Sequence, residues 1–239
     1  MTKAKGNMYI DVTHTHNDIK GKCFHNCSYC YMDSIRKRYN QKEREPYLDE
    51  KELSKNLGSG NIIFIGSSTD MWAKNIPDEW IYKVLDHISK YYGNTYLFQS
   101  KNIGRLAEFL LLMPRKCRIG TTIETNRRYP CMGDTPSPDF RSYSMCNLGY
   151  AKRPDGFELF VTIEPVLDFD LDIFVDLLKN CNADFINVGA DSGNNHLPEP
   201  EPEKIRELIK ELEKFTKVHL KKNLKRLLPE IAGMMCNSV

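Results

Sequence analysis

The sequence predicts an α/β fold, a partial (open) TIM-like barrel of about six to seven parallel β/α units. Three observations predict it. Short runs rich in Ile, Val, Phe and Thr recur along the chain, helical patterns separate them, and the alternation keeps the same order to the end. That order is what right-handed crossovers in a parallel sheet produce.

Strands are expected near 9–14, 61–66, 95–99, 118–123, 158–163, 184–189 and 217–220, because each is a short β-branched or aromatic run. Helices are expected at about 49–57, 77–92, 104–113, 139–151, 169–180 and 202–215. The second of these opens on Pro77 and Asp78 and is followed by Gly93, a good start and a good stop. The last carries Ile205, Leu208, Ile209 and Leu212 at helical spacing, with charged residues on the other face. No internal repeat, low-complexity tract or linker interrupts this order, so residues 1–239 are read as a single domain. The one long irregular stretch is 127–138, where Pro130, Pro136 and Pro138 argue against a helix. A loop of that length inside a compact domain tends to be functional.

The composition is that of an ordinary globular chain: 41% hydrophobic, 28% charged, net charge +2. Near-neutral charge gives no bulk attraction to nucleic acid or membrane. No stretch approaches the 18 apolar residues of a membrane span, and no apolar segment follows the N-terminus as in a secretory signal. A cytoplasmic protein is therefore expected. Its 8 cysteines then read as ligands, buried hydrophobes or reactive thiols before disulfides.

Three of those cysteines carry the strongest signal. Gly21-Lys-Cys23-Phe-His-Asn-Cys27-Ser-Tyr29-Cys30-Tyr31 has the spacing C-x3-C-x2-C on the loop after the first expected strand. Chance would give this spacing somewhere in such a chain in roughly 1% of cases. Thiolates this close can converge on one metal centre. A [4Fe–4S] cluster ordinarily takes four cysteines, so three leave one iron open to another ligand. A structural zinc site on the same cysteines plus His25, His14 or His16 is the competing reading, although such sites usually use two ligand pairs.

The spacing, with an aromatic residue directly before the third cysteine, resembles the radical S-adenosylmethionine (SAM) superfamily. The likeness is to compact bacterial and bacteriophage members, with spore photoproduct lyase a more distant relative sharing the cysteine spacing. The resemblance implies a [4Fe–4S] cluster on Cys23, Cys27 and Cys30. It implies that SAM chelates the open iron, and that one electron breaks the sulfonium S–C bond to give methionine and a 5′-deoxyadenosyl radical that abstracts hydrogen. An electron donor such as flavodoxin or ferredoxin would supply that electron.

In α/β barrels chemistry sits at the C-terminal strand ends. Side-chain parity places Thr122 and Glu124, Thr162 and Glu164, and Asn187, Gly189 and Asp191 on the face opposite Ile119 and Ile123, Leu159 and Val161, and Ile186 and Val188. In the resembled superfamily, polar residues at these ends hold the ribose and methionine of SAM, which makes the inward set candidates. Gly66, Ser67, Ser68 and Asp70 stand where the superfamily carries a Gly-Gly-Glu-like turn, with the second Gly and the Glu replaced. Lys101 would pair with the SAM carboxylate. Gly189 would admit backbone close to adenine, and Tyr29 would help from the cysteine loop.

Of the other cysteines, Cys117 and Cys181 precede strands and read as small core hydrophobes. Cys131 lies in the 127–138 loop on the mouth side. It is the candidate catalytic residue, a thiol hydrogen-atom donor, on a loop able to close over the pocket. Cys146 and Cys236 have no argued role. Basic pairs at Arg127-Arg128 and Lys221-Lys222 would flank the mouth and meet phosphate. The expected substrate is therefore a nucleotide or nucleic-acid base. Other readings are a zinc-stabilised nucleic-acid-binding protein without catalysis, and an activase or peptide-modifying enzyme.

Overall fold

The computed structural model describes residues 1–4, 9, 11–150, 157–193 and 195–232. Its main sheet has eight strands. In chain order these are β1 (Thr2–Lys3), β2 (His14–His16), β5 (Ile62–Ile65), β6 (Thr95–Gln99), β7 (Cys117–Thr122), β8 (Phe157–Ile163), β9 (Phe185–Val188) and β10 (Lys217–Leu220). They are ordered β1-β2-β5-β6-β7-β8-β9-β10, with only β1 antiparallel to its neighbour. β3 (Ile19–Lys20) and β4 (Tyr47–Leu48) form a separate two-stranded ribbon. The fold is an open α/β barrel, with β1 and β10 at its two edges.

Helices fill the crossovers: α3 (Asp78–Ser89), α4 (Ile103–Glu108), α5 (Pro138–Tyr150), α6 (Leu171–Asn180) and α7 (Pro202–Leu212). Each buries a stripe against the outer sheet face. In α3 the stripe is Ile81, Val84, Leu85 and Ile88; in α7 it is Ile205, Leu208 and Leu212. Pro77 caps α3, and Asp78 and Glu79 fill its first turn, where the helix dipole favours acids.

The two sides of the sheet hold separate cores. Ile119, Ile163, Ile186 and Val188 belong to the large outer core with the helices. Val12, Leu97 and Phe160, with Phe64 and Phe185 packed against them, form a small inner one. Phe160 and Phe185 stack at 5.3 Å with a 3° interplanar angle. The inner core is an apolar floor. Above it Thr122, Thr162 and Asn187 lie side by side as strand partners, so the polar row sits toward the C-terminal ends.

Three expectations need correction. The first expected strand, 9–14, is β2 at His14–His16; Ile10 lies outside the described residues. Its pairing begins where His14 meets Ile63, and His16 is buried by polar contacts that no hydrophobic pattern can reveal. The helix α1 (Tyr31–Arg38) has no counterpart in the sequence pattern, because none of its residues is buried. Asp33 pairs with Arg36 one turn on, and Arg36, Lys37 and Arg38 suit the negative end of its dipole. Third, 49–57 narrows to α2 (Glu50–Leu53), and 127–138 contains a short 3₁₀ turn at Pro130–Met132. The expected helix at 139–151 runs one residue past the described segment, and Cys236 also lies outside the described residues.

Gly120 tests the tightness of the inner core. A Cβ there would lie 2.4 Å from the Phe160 ring. Gly120→Ala should therefore lower unfolding free energy by about 1–3 kcal/mol, the usual cost of overpacking. Urea denaturation checks this, and adding Phe160→Leu to the same chain should recover part of the loss.

Candidate functional site

The cysteine loop owes its shape to local residues. Gly21 has φ +112°, and a Cβ there would sit 2.5 Å from the Glu45 carbonyl oxygen. Asn26 takes φ +51°, a left-handed conformation that Asn tolerates. The Cys30 N–H donates to the Cys27 carbonyl at 3.1 Å, and Cys30 then caps α1.

Two neighbours hold this loop. From one side, the 3₁₀ turn at Pro130–Met132 accepts the Ser28 N–H on the Cys131 carbonyl at 2.9 Å. The Asp134 N–H donates to the His25 carbonyl at 2.7 Å. Gly133 allows this approach: at φ +60°, a Cβ would lie 2.2 Å from the His25 oxygen. From the other side, buried Asp70 accepts from His25 Nε2 and Ser100 Oγ at 2.8 Å each, and from the backbone N–H groups of Lys101 and Trp72 at 3.0 Å each. Burial alone would raise the Asp70 pKa, but His25 and these donors hold its carboxyl below the usual range.

A cavity of about 540 Å³ opens at the C-terminal strand ends, within the range of about 300–1,000 Å³ typical of small-molecule sites. Cys23, Cys27 and Cys30 all border it. So do Tyr29, Gly66, Ser67, Ser68, Asp70 and Lys101 on one side, and Thr122, Thr162, Glu164 and Asp191 across from them. Gly66 has φ +73° and turns the chain straight after β5. Among the described residues, the cysteines form no group of three ligand atoms within 4.8 Å of one another, the spacing of a single-ion site.

The family described as "Protein of unknown function (DUF5131)" matches residues 9–148. The chain belongs to the DUF5131 family. The match takes in the cysteine loop, its Asp70 anchor, Lys101 and the 3₁₀ brace. None of the curated proteins matches this DUF5131 chain. Solved structures resemble it in fold. A spore photoproduct lyase double mutant with bound AdoMet and dinucleoside spore photoproduct has a TM-score of 0.63 at 11% identity, covering 90% of this chain and 78% of that one. A second spore photoproduct lyase mutant, with dinucleoside spore photoproduct, scores 0.57 at 12%, covering 84% and 75%. Methylornithine synthase scores 0.50 at 14%, covering 87% and 64%.

Several residues expected at the pocket of this DUF5131 member are placed elsewhere. Glu124 is fully buried and does not border the cavity. It accepts the Tyr29 hydroxyl, pairs with Arg141 Nη1 at 2.8 Å, and lies 3.4 Å from Lys101 Nζ. Burial opposes ionisation, yet Arg141 and Lys101 bring its pKa from 4.5 down to about 2. Asn187 is buried beneath the rim, its amide 3.4 Å from Thr162 Oγ1. Gly189 faces protein: a Cβ there would lie 3.0 Å from Asn223 Oδ1 and from Glu164 Oε1. Cys131 does not border the cavity either. Its loop braces the cysteine loop from behind instead of closing over the mouth.

The two basic pairs are also partly absorbed. Arg127 pairs with Asp168 and Asp170, and Arg128 bonds the Thr135 carbonyl at 2.8 Å. Lys221 Nζ lies 2.6 Å from Glu164. Asp191 accepts from the N–H groups of Gly193 and Asn195, which shapes its own loop. Cys117 and Cys181 are buried, and burial pushes each thiol up to about 12, as core packing implies.

Three cavity or supporting residues, Tyr9, Gln99 and Arg141, escaped the sequence, and a fourth, His25, entered only as an alternative zinc ligand. Tyr9 bonds Gln99 and lies 2.8 Å from Thr162 Oγ1, while Gln99 Nε2 donates to Thr122 Oγ1 at 2.8 Å. His25 and Arg141 act through Asp70 and Glu124. Gln99 could have been found, as it ends the third expected strand; Arg141 could not, because nothing local marks a buried arginine.

Glu124→Gln should cost about 3 kcal/mol, because it leaves Arg141 buried without its counter-charge. Since the folded pKa lies below the ordinary 4.5, the wild type's advantage is complete above that pH and is lost as pH falls through about 2. Urea midpoints for both chains, at neutral pH and across this acid window, check it.

Proposed function

We propose that this protein is a radical SAM enzyme whose cluster is held by Cys23, Cys27 and Cys30. The observation that carries the reading is that all three cysteines of the C-x3-C-x2-C motif border one cavity at the C-terminal strand ends. The fold shared with an AdoMet-bound neighbour is consistent with it.

Held by Cys23, Cys27 and Cys30, a cluster reduced by the electron donor would pass one electron to SAM, which would give methionine and a 5′-deoxyadenosyl radical. The protein's residues bind, orient and exclude water. Three thiolates leave one iron for SAM. Ser68 Oγ is buried, borders the cavity and makes no hydrogen bond of its own, so it is ready for a polar group of SAM. Lys101 Nζ, 5.2 Å above the Tyr29 ring, presents a cation to the same space. Its ammonium is held charged, above the usual lysine range, because Cys27 and Glu124 outweigh the effect of burial. Thr122 and Thr162 offer hydroxyls for the ribose from the opposite wall. The aromatic floor of Phe160 and Phe64 beneath Tyr9 keeps water from entering below.

We assign the substrate to the nucleotide or nucleic-acid base class. The dinucleoside bound by the similar structures supports this, and Lys22 and Arg36 border the cavity, each already paired with an acidic neighbour. Flavodoxin or ferredoxin would serve as electron donor.

Protein purified anaerobically should carry about four iron and four sulfide per chain. With reductant and SAM it should release 5′-deoxyadenosine and methionine. Alanine at Cys23, Cys27 or Cys30 should remove both properties. Stoichiometric zinc on these cysteines, without labile sulfide, would overturn the reading.

A further inference from the structure

A second cluster of ligating side chains lies outside the cavity, between β2 and the helices behind it. His16 ends β2, Asp18 follows it, and His87 comes from α3; all three are buried. One ligand atom from each lies within 4.8 Å of the other two. His16 Nε2 is 2.9 Å from Asp18 Oδ1, and His87 Nδ1 is 3.6 Å from the same oxygen.

These contacts are close without being hydrogen bonds. His16 Nε2, His87 Nδ1 and both carboxylate oxygens of Asp18 are buried, and none makes a hydrogen bond. Leaving such groups unsatisfied costs stability. No lysine or arginine pairs with Asp18 among the described residues: Lys20 goes to Asp49 and Glu52, and Lys55 goes to Glu52. A single proton can satisfy one pair of these atoms. A cation at their centre satisfies all three side chains.

The far sides of both rings are also set as a metal site requires. His87 Nε2 lies 2.9 Å from the Lys55 carbonyl, which can only accept, so a ring proton sits there, and a metal would take the Nδ1 lone pair in place of the proton that Asp18 favours. Glu52 Oε2 lies 3.5 Å from His16 Nδ1, on the side away from Asp18. Carboxylate or carbonyl acceptors behind ligating histidines are the usual outer shell of zinc sites.

We propose that His16, Asp18 and His87 bind a divalent transition metal of the zinc class, separate from the cysteine motif. Two imidazoles and a carboxylate match the ligand preference of Zn²⁺, with bonds of about 2.0–2.2 Å. The ion ties β2 to α3, and does so directly behind the cavity wall. Between the two ligands of β2, Asn17 faces the other way and accepts from Ser67 Oγ at 3.2 Å and Ser68 N–H at 2.9 Å. The metal therefore fixes the strand end that positions Ser67 and Ser68. Nothing in this inference depends on the chemistry of the cysteine loop.

The test is Co²⁺ titration of chelator-treated protein in which Cys23, Cys27 and Cys30 are all alanine. One equivalent should bind, with visible d–d bands and no thiolate charge-transfer band, and Co²⁺ or Zn²⁺ should raise the Tm. His87→Ala in that background should weaken binding by on the order of 100-fold, whereas His14→Ala, a half-buried ring outside the cluster, should leave it unchanged. The same triple-alanine chain loaded with one Zn²⁺ supplies an independent check by X-ray absorption, which should show nitrogen and oxygen ligands with imidazole scattering. Absence of saturable binding and of any Tm shift, equal affinity after His87→Ala, or a zinc shell without imidazole scattering in the triple-alanine chain would each overturn the proposal.

Discussion

The carboxylate of Asp70 is the interaction on which the site depends. It sits in the turn after β5 and receives four donors, one from the cysteine loop and two from the turn after β6. Three segments far apart in sequence are thus fixed at one buried point. A buried carboxylate is costly unless it is fully hydrogen-bonded, and that cost makes the arrangement specific: any slip of the cysteine loop would strand a charge. The turn on the opposite side, seated through Gly133, completes the clamp. The cysteine loop is held from both sides, and its three cysteines border the cavity.

The same cost explains where the strand-end carboxylates go. Parity placed three of them at the mouth of the barrel, and each is met by protein groups. Glu124 goes to Arg141, Lys101 and Tyr29; Glu164 goes to Lys221 and Asn223; Asp191 accepts from backbone N–H groups of its own loop. The row is a supporting frame that orients Tyr29, Lys101 and Lys221 around the cavity. Between these paired charges, the hydroxyls of Thr122 and Thr162 and the Gln99 amide line the cavity wall. Threonine and glutamine lose less on leaving water than ionised groups do, and they exchange partners with a ligand more readily.

Burial without hydrophobicity is a recurrent feature of this chain. His16, Asp18, His87, Glu124 and Arg141 are all buried, and each is placed by a partner supplied by another element. Such groups stabilise a fold only as complete sets. Incomplete sets are informative, because the missing member has to come from outside the chain.

The sequence by itself determined the α/β alternation, the positions of β6 and β10 to the residue, the helix stripes and the cysteine motif. These are local signals: period, caps and short spacing, all written into neighbouring residues. It also determined which strand residues face inward, since the pleat has a period of two, as Thr122 and Thr162 against Ile119 and Ile163 show. Tertiary structure decided what those inward residues meet. Arg141 reaching Glu124 across the β7 end, Asp70 gripping His25, and His87 approaching Asp18 depend on how helices and loops dock, and no local pattern encodes the partner. β2 and α1 escaped for the same reason. The first is buried through polar contacts and the second buries nothing, so neither leaves the hydrophobic period by which elements are recognised.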